Sequence, residues 1–199
     1  MEPLEQSALA LKAMLDRKQI SAVEVMQATL AQIDAVNGSV NAVVSLRDQD
    51  ALMAEAAQAD AAPRRGPLHG LPMAIKDLVD AEDLPTSMGS LIYAGQVATS
   101  DALMVARLRA AGAIIIGKTN TPEFGLGSHT FNPVHGVTRN PYDLSRSAGG
   151  SSGGAAVALS TRMLALADGS DMMGSLRNPA AWNNIYALRP SWGLVPSST

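Results

Sequence analysis

Two glycine-rich segments place serine hydroxyls where a carbonyl group could react with them. The first is GGSSGG at 149–154, which contains Ser151 and Ser152, and the second is GSLR at 174–177, which contains Ser175. Glycine permits positive φ and lets backbone N–H groups approach a ligand closely. These segments predict nucleophilic chemistry, provided that another part of the chain supplies a base that activates a serine.

The positions of the histidines argue against the usual serine–histidine arrangement. GSSGG at 150–154 fits the G-x-S-x-G pattern of a nucleophile elbow, but that fold needs its histidine after the serine. The three histidines, His69, His129 and His135, all precede it. They lack metal-ligand spacing, so we assign them no role in the site. The glycine run also lacks the lysine of a phosphate loop, and the S-x-x-K pattern of β-lactamases does not occur.

Lysine is the remaining candidate base. Lys12 and Lys18 lie in a polar N-terminal stretch, where a solvated amine stays charged. Lys76 ends an apolar run that predicts a buried strand, and Lys118 ends a second such run, so both are candidates. Burial can lower a lysine pKa by about 3–5 from roughly 10.4, which makes the neutral amine available near neutral pH. The alternative is that Lys76 forms an ion pair with Asp77 or another carboxylate.

Five segments, in this order, resemble the amidase signature family. They are GLPMAIKD at 70–77, GKTNTPEFG at 117–125, TRNP at 138–141, GGSSGG at 149–154 and DMMGSLRNP at 171–179. The resemblance is close over 66–199 and loose in the N-terminal helices. It implies hydrolysis of a carboxylic amide to an acid plus ammonia or an amine, without a metal or another cofactor.

The resemblance also implies a triad of serine, cis-serine and lysine. Lys76 would be the base, Ser151 the cis-serine and Ser175 the nucleophile that forms an acyl-enzyme. Ser151 would pass the proton of Ser175 to neutral Lys76 and later return a proton to the leaving nitrogen. A relay through a second hydroxyl suits a base that cannot itself reach the nucleophile.

The segment before the nucleophile departs from the family pattern. By resemblance, the backbone N–H groups of Met172, Met173, Gly174 and Ser175 form the oxyanion hole, but the family commonly has threonine and glycine where the two methionines stand. Main-chain donors survive this change, although a positive φ at position 173 would strain a methionine. The methionines either pack adaptably or form a wall of the acyl pocket.

Three further residues are expected to support the triad, namely Ser152, Asp171 and Arg177. By resemblance, Asp171 and Arg177 hold the loop that carries the nucleophile. The alternative is a solvent-exposed ion pair worth under about 1 kcal/mol. Two other departures from the family, AWNN at 181–184 and RPS at 189–191, leave the triad intact but change what surrounds a substrate.

Composition limits the classes of function. The chain has no cysteine, which excludes disulfides and cysteine–zinc sites and is compatible with the cytoplasm. A formal net charge of −3 offers no basic surface for nucleic acid. No apolar run is long enough for a signal peptide or a membrane span. We therefore expect a cytoplasmic protein that binds a small amide substrate, with neither nucleic acid nor a membrane as partner.

The elements that must position these residues change character at residue 66. Of 17 glycines only Gly38 precedes that position, so residues 1–65 are predicted to be a helical segment that packs on a catalytic core at 66–199. In the helical segment we expect a capping box at Ser21 and Glu24, a helix end at Asn37–Gly38, a short strand at 41–46 and a helix at 48–62.

From residue 66 the predicted strands and helices alternate. We expect a strand through Lys76, a helix at 101–111 capped by Asp101, a strand at 113–117, a helix from Gly153 and a short strand at 164–167. This order predicts an α/β fold with a mixed, largely parallel sheet covered by helices on both faces. Family members are much longer, and the sequence ends at 196–199 soon after the last matching segment. We therefore expect a partial form of the family fold, completed by a C-terminal portion or by a homodimer.

Three functions compete at this point. An amide hydrolase comes first. A glutamine amidotransferase subunit of the kind that serves transfer-RNA-dependent amidation has the same triad, but TPEF at 121–124 and the two methionines depart from its pattern. A non-catalytic fragment or interaction module is the third, and only the length favours it.

Overall fold

A computed structural model describes residues 3–196, so positions 197–199 of the expected chain end lie outside the described residues. The helices are α1 (Ala8–Asp16), α2 (Ala22–Val40), α3 (Gln49–Ala61), α4 (Leu103–Ala110), α5 (Gly153–Ser160) and α6 (Arg177–Trp182). The strands are β1 (Val43–Val44), β2 (Pro72–Lys76), β3 (Ile114–Thr119), β4 (Phe131–Asn132), β5 (Gly136–Val137), β6 (Arg139–Asn140) and β7 (Asp143–Ser147). Two 3₁₀ helices cover Pro3–Glu5 and Glu123–Gly125.

The central sheet has the strand order β1-β3-β2. β2 runs parallel to β3 and β1 runs antiparallel to it, which confirms a mixed sheet in an α/β fold. The register shifts within the parallel ladder, because Met73 lies opposite Ile115 whereas the next residue, Ala74, lies opposite Gly117. Ile116 is therefore an extra residue in β3, a bulge that changes which side chains share a face.

Helices cover both faces of this sheet, as predicted. On one face, Ala74 and Ile116 pack in a core with buried side chains of α2, α3 and α5. On the other face, Ile75 and Ile115 pack with Val105 of α4. Alternate residues of β2 thus enter two different cores, which explains why its sequence is apolar on both faces.

Helix α2 begins as predicted but ends later. Ser21 accepts the N–H of Glu24, and the Glu24 carboxylate accepts the N–H of Ser21, so the capping box is confirmed. The predicted end at Asn37–Gly38 is wrong, because Asn41 adopts the left-handed conformation and caps the helix one turn later. In residues 3–196, no helix combines the length and the apolar content that a membrane crossing requires.

Two other local predictions are wrong. Asp101 does not cap α4, because its carboxylate accepts the N–H of Glu82 and pairs with Arg109. Residues 164–167 form no strand within the described chain, since the N–H of Leu164 donates to Ala158 in the turn after α5 rather than to a neighbouring strand.

The bounds of two strands also differ from the prediction. β1 is shorter than the predicted 41–46 because Asn41 belongs to the end of α2, and β3 continues two residues beyond the predicted 113–117.

Candidate functional site

The first turn of α5 is held by a close backbone contact against the residues that follow β3 and precede β1. Lys76 is the last residue of β2 and is 1% exposed. A Cβ at Gly154 would lie 2.3 Å from the backbone nitrogen of Asn120 and 2.7 Å from the carbonyl oxygen of Ala42, so no side chain fits there. This contact fixes the start of α5, and with it the preceding serines, beside the Lys76 side chain.

Three serine hydroxyls surround the Lys76 amine. Its Nζ lies 2.7 Å from Ser151 Oγ, 2.9 Å from Ser152 Oγ and 3.0 Å from Ser170 Oγ. The peptide bond between Gly150 and Ser151 is cis. The structure therefore brings together Lys76, Ser151 and Ser152, which the sequence singled out, and adds Ser170, which it did not.

Burial governs the protonation of this group. It lowers the pKa of Lys76 to about 8, and the charges of Asp168 and Asp171 oppose the shift. The Asp168 carboxylate accepts the backbone N–H of Lys76 at 2.9 Å, and burial raises the pKa of Asp168 to about 6. A substantial fraction of Lys76 is therefore neutral near pH 8, as a general base must be.

Lys118, the rival candidate, lies in a different environment. Its Nζ donates to the carbonyl of Val79 at 2.5 Å and to Thr86 Oγ1 at 3.0 Å, and it lies 3.9 Å from Asp77 Oδ1. Burial lowers its pKa, but the carboxylate of Asp77 opposes the shift. Asp77 thus pairs with Lys118, and the alternative of an ion pair between Lys76 and Asp77 is not found in the described part of the chain.

Ser175 lies next to this group on the loop that precedes α6. It is half-buried, and its carbonyl oxygen accepts the N–H of Ser152 at 3.1 Å. Within residues 3–196, its hydroxyl makes no hydrogen bond to Ser151. The two glycine-rich segments are therefore joined through their backbones, with the Ser175 hydroxyl outside the cluster around Lys76.

Asp171 organises the loop that carries Ser175. Its fully buried carboxylate receives two hydrogen bonds from Arg177, from Nε at 2.9 Å and from Nη2 at 3.0 Å. It also accepts the backbone N–H groups of Gly174, Leu176 and Arg177. These contacts hold the pKa of Asp171 well below its ordinary value, with the Arg177 side chain as the largest cause. The arrangement favours the loop-holding interpretation over an exposed ion pair.

The backbone donors of this loop are only partly free. The N–H of Gly174 donates to Asp171 Oδ1 at 2.7 Å, so this predicted oxyanion donor is occupied. Among residues 3–196, the N–H groups of Met172, Met173 and Ser175 have no acceptor. Met173 does not adopt a positive φ, whereas Gly174 does, at 112°. Met172 and Met173 are 85% and 87% exposed, so they are not packed against the described protein.

The histidines lie outside this group. His69 contacts the carbonyl of Ala59, His129 packs on Trp182 with ring centroids 5.5 Å apart, and the Nε2 of His135 lies 3.2 Å from Ser87 Oγ. Over the described range, no cluster of three or more histidine or carboxylate residues could hold a metal ion.

Sequence reasoning missed two residues of the site, Asp168 and Ser170. Both lie just before Asp171, in DGSD at 168–171. A polar run directly after the apolar residues 163–167 was the available signal, because it places a carboxylate and a hydroxyl where the chain leaves the core.

A wide cleft of about 1460 Å³ opens beside Lys76, Asp168 and Met172 and reaches the segment 185–196. That segment is apolar and strongly exposed: Tyr186 is 97%, Leu188 83% and Trp192 98% accessible. Exposed apolar surface of this extent is typical of an interface with further polypeptide or with a ligand.

Comparison with known proteins identifies the family of the chain. The sequence model of the Amidase family matches residues 24–199. An acylamidase of Rhodococcus erythropolis is 42% identical over 196 residues, which cover 96% of this chain and 41% of the relative. A glutamyl-tRNA(Gln) amidotransferase subunit of Acidothermus cellulolyticus is also 42% identical over 196 residues, covering 96% of this chain and 39% of the relative.

A solved structure shares the fold as well. The peptide amidase of Stenotrophomonas maltophilia superposes with a TM-score of 0.81 at 35% identity, covering 90% of this chain and 39% of that one. The chain thus spans about two fifths of the length of the relatives it matches. On the family match and these likenesses, the chain belongs to the Amidase family.

Proposed function

We propose that this chain carries the catalytic residues of a hydrolase that converts a carboxylic amide to an acid plus ammonia or an amine. The observation that carries the proposal is the 2.7 Å contact between Lys76 Nζ and Ser151 Oγ, in a buried site where the pKa of the lysine is lowered to about 8. Family membership and the likeness to an acylamidase and a peptide amidase support the same reaction.

The hydroxyls around Lys76 suit a neutral amine. An ammonium donates three hydrogen bonds, whereas a neutral amine donates two and offers one lone pair. With two N–H groups directed at Ser152 and Ser170, the lone pair of neutral Lys76 is left to accept the proton of Ser151. Ser152 and Ser170 are therefore proposed to orient the base.

In the proposed reaction, Ser175 Oγ bonds to the amide carbonyl carbon while its proton passes to Ser151 Oγ and the Ser151 proton passes to Lys76 Nζ. The C–N bond then breaks, and the leaving nitrogen takes a proton back through Ser151. Water attacks the resulting ester on Ser175 by the same relay and releases the acid. The Ser175 hydroxyl must rotate towards Ser151 when substrate binds, a tightening that is common on forming the Michaelis complex.

The negative charge that develops on the carbonyl oxygen needs donors. The N–H groups of Met172, Met173 and Ser175, which lack acceptors in the described chain, are proposed for this role. The N–H of Gly174 would join them only if it left Asp171 Oδ1. Removing one such donor typically costs about 2.7–4 kcal/mol of transition-state stabilisation.

A second candidate is supported by the relatives. The amidotransferase subunit from Acidothermus cellulolyticus is as similar to this chain as the acylamidase, at 42% identity. In that case the same residues would release ammonia from the side-chain amide of glutamine and pass it to a partner protein. The two candidates share the chemistry at Ser175 and differ in the acyl group and the partner.

The exposed apolar segment 185–196 points to further polypeptide. The matched region makes up only 41% of the acylamidase relative, and Tyr186, Leu188 and Trp192 are left almost fully exposed here. We propose that a C-terminal portion like that of the relatives, rather than a second copy of this chain, covers this segment and completes the substrate pocket.

Labelling with a fluorophosphonate, followed by mass spectrometry, tests these proposals. We expect wild type to be labelled at Ser175, Ser175→Ala to lose label and turnover, and the matched control Ser39→Ala, on an exposed face of α2, to retain both. A panel of small amides that includes glutamine assigns the acyl group, and glutamine hydrolysis that appears only with a partner protein selects the second candidate.

The same experiment addresses completion of the fold. Labelling of a form extended beyond residue 199 should be faster than labelling of the 199-residue chain. Turnover by Ser175→Ala at the wild-type rate, or a folded protein that takes no label in either form, would overturn the hydrolase proposal.

A further inference from the structure

Asp168 is a carboxylate for which the relay above has no use. Its Oδ1 accepts the backbone N–H of Lys76, the last residue of β2, at 2.9 Å. Within residues 3–196, no arginine, lysine or histidine nitrogen lies within ion-pair distance of it. It also lines the cleft beside the candidate base. Burying a carboxylate costs free energy unless it is paired or hydrogen-bonded, and the partner that the structure gives Asp168 is the backbone N–H of Lys76.

The charges around the two residues are few. Asp168 faces Lys76 from β2 and Lys118 from β3. Lys76 faces Asp168 and Asp171, and its remaining partners are neutral hydroxyls. Of these two carboxylates Asp168 has the larger effect on the Lys76 amine, and Asp171, the second, is paired with Arg177.

We propose that Asp168 is a positioning residue which holds the end of β2 through the Lys76 amide and stabilises the ammonium that Lys76 becomes when it takes the proton of Ser151. This inference rests on the proposed function for its effect on turnover. Its electrostatic part concerns only Asp168 and Lys76.

The physical consequence has two parts of opposite sign. A nearby negative charge favours the protonated amine, so Asp168 makes Lys76 a stronger base but keeps it protonated to higher pH. Removing the charge should therefore free the amine at lower pH and, at the same time, weaken it as a proton acceptor. A residue that served only as a hydrogen-bond acceptor would produce neither effect.

Asp168→Asn separates the two roles, because asparagine keeps an oxygen acceptor for the Lys76 amide and loses the charge. We expect the acid limb of kcat/KM against pH to move about 1 pH unit lower and the plateau of kcat to fall about tenfold. Asp60→Asn is the matched control, since Asp60 also accepts backbone N–H groups, those of Ala22 and Val23, at a remote place.

A second measurement does not depend on turnover. The chain has four lysines, so ¹³C labelling of the lysine Cε atoms gives a simple spectrum in which Lys76→Met identifies the Lys76 signal. In Asp168→Asn the titration midpoint of that signal should fall, and in Asp60→Asn it should stay at the wild-type value.

The outcomes are distinguishable. An unchanged Lys76 midpoint and an unchanged pH profile in folded Asp168→Asn would overturn the inference, even if the enzyme is active. A lowered midpoint in a protein with no Ser175-dependent turnover would support the electrostatic coupling and refute the proposed function. If Asp168→Asn fails to fold, Asp168→Glu, which keeps the charge, replaces it. The titration midpoint of Lys76 in Asp168→Glu is expected to equal that of wild type. A lowered midpoint in this variant would count against the inference, because the charge is still present.

Discussion

Lys76 and Lys118 stand near the ends of neighbouring parallel strands, and both are buried, yet they have different partners. Lys76 contacts the hydroxyls of Ser151, Ser152 and Ser170 at the start of α5 and on the loop after it. Lys118 contacts a backbone carbonyl, a threonine hydroxyl and the carboxylate of Asp77 on the α4 side of the sheet. Burial lowers the pKa of both lysines.

The difference shows that burial alone does not make a lysine a base. A carboxylate and a carbonyl both favour the ammonium, so Lys118 is suited to remain charged and to hold its neighbours. Hydroxyls can donate as well as accept, so Lys76 can gain or lose a proton without leaving a partner unsatisfied. The identity of the contacting atoms therefore separates a structural lysine from a candidate general base.

The largest expected effect comes from Lys76→Met. If Lys76 is the base, kcat should fall about 10²–10⁴-fold, the usual contribution of general-base catalysis. The free energy of unfolding should change by no more than about 1 kcal/mol, because the lost hydrogen bonds are offset by no longer burying a charge. Steady-state kinetics and urea unfolding measure the two quantities. Near-normal turnover by Lys76→Met would contradict the assignment of Lys76 as the base.

Lys118→Met is expected to show the reverse pattern. It leaves the buried carboxylate of Asp77 without its cation, and breaking such a pair by removing one partner costs about 3 kcal/mol of stability. Turnover per folded molecule should stay near that of wild type. The same unfolding and kinetic measurements decide the matter, and a Lys118 variant that is stable but inactive would reassign the base.

The smallest effect concerns Asp171, the carboxylate that lies near Lys76 but is paired with Arg177. The pKa of Asp171 is lowered in the folded state, so its contribution to stability is present above its ordinary value of 3.8 and is lost as the pH falls towards its folded value. Asp171→Asn should therefore lower the free energy of unfolding by about 1–2 kcal/mol at pH 7. The difference in unfolding free energy between this variant and wild type should become smaller below about pH 4.

Unfolding followed across pH measures this difference. Asp143→Asn, which affects an exposed pair with Arg146, serves as the control and should change stability little. If the difference in unfolding free energy between Asp171→Asn and wild type stays constant down to about pH 3, the charge of Asp171 does not stabilise the loop.

Much of this arrangement can be predicted from residues close together in the chain. The capping box of α2 and the buried strand that ends at Lys76 follow from local pattern, and the position of α5 follows from its glycines. The residues carried over from the family resemblance placed Ser151 beside Lys76 and named Ser152 among the residues that support the triad. Their catalytic roles stay predictions until they are measured.

What could not be predicted depends on contacts between distant segments. Asp168 is 92 positions from its partner Lys76, and nothing local indicates that its carboxylate replaces a strand partner at the end of β2. The occupied N–H of Gly174 depends on how the Asp171 side chain folds back. The helix α2 ends at the left-handed Asn41. The sequence predicted an earlier end because glycine, which commonly follows the last residue of a helix, stands at position 38.

The bulge at Ile116 has a further effect on the two amines. If the ladder continued without it from the pairing of Met73 with Ile115, Lys76 would lie directly opposite Lys118, and both side chains would leave the sheet on the same side. Adjacent strands lie about 4.8 Å apart, so each cation would then suppress the protonation of the other. Because Ile116 is left out of the ladder, Lys118 instead lies opposite Ile75 and Lys76 lies opposite Thr119, so the two amines leave the sheet on opposite faces.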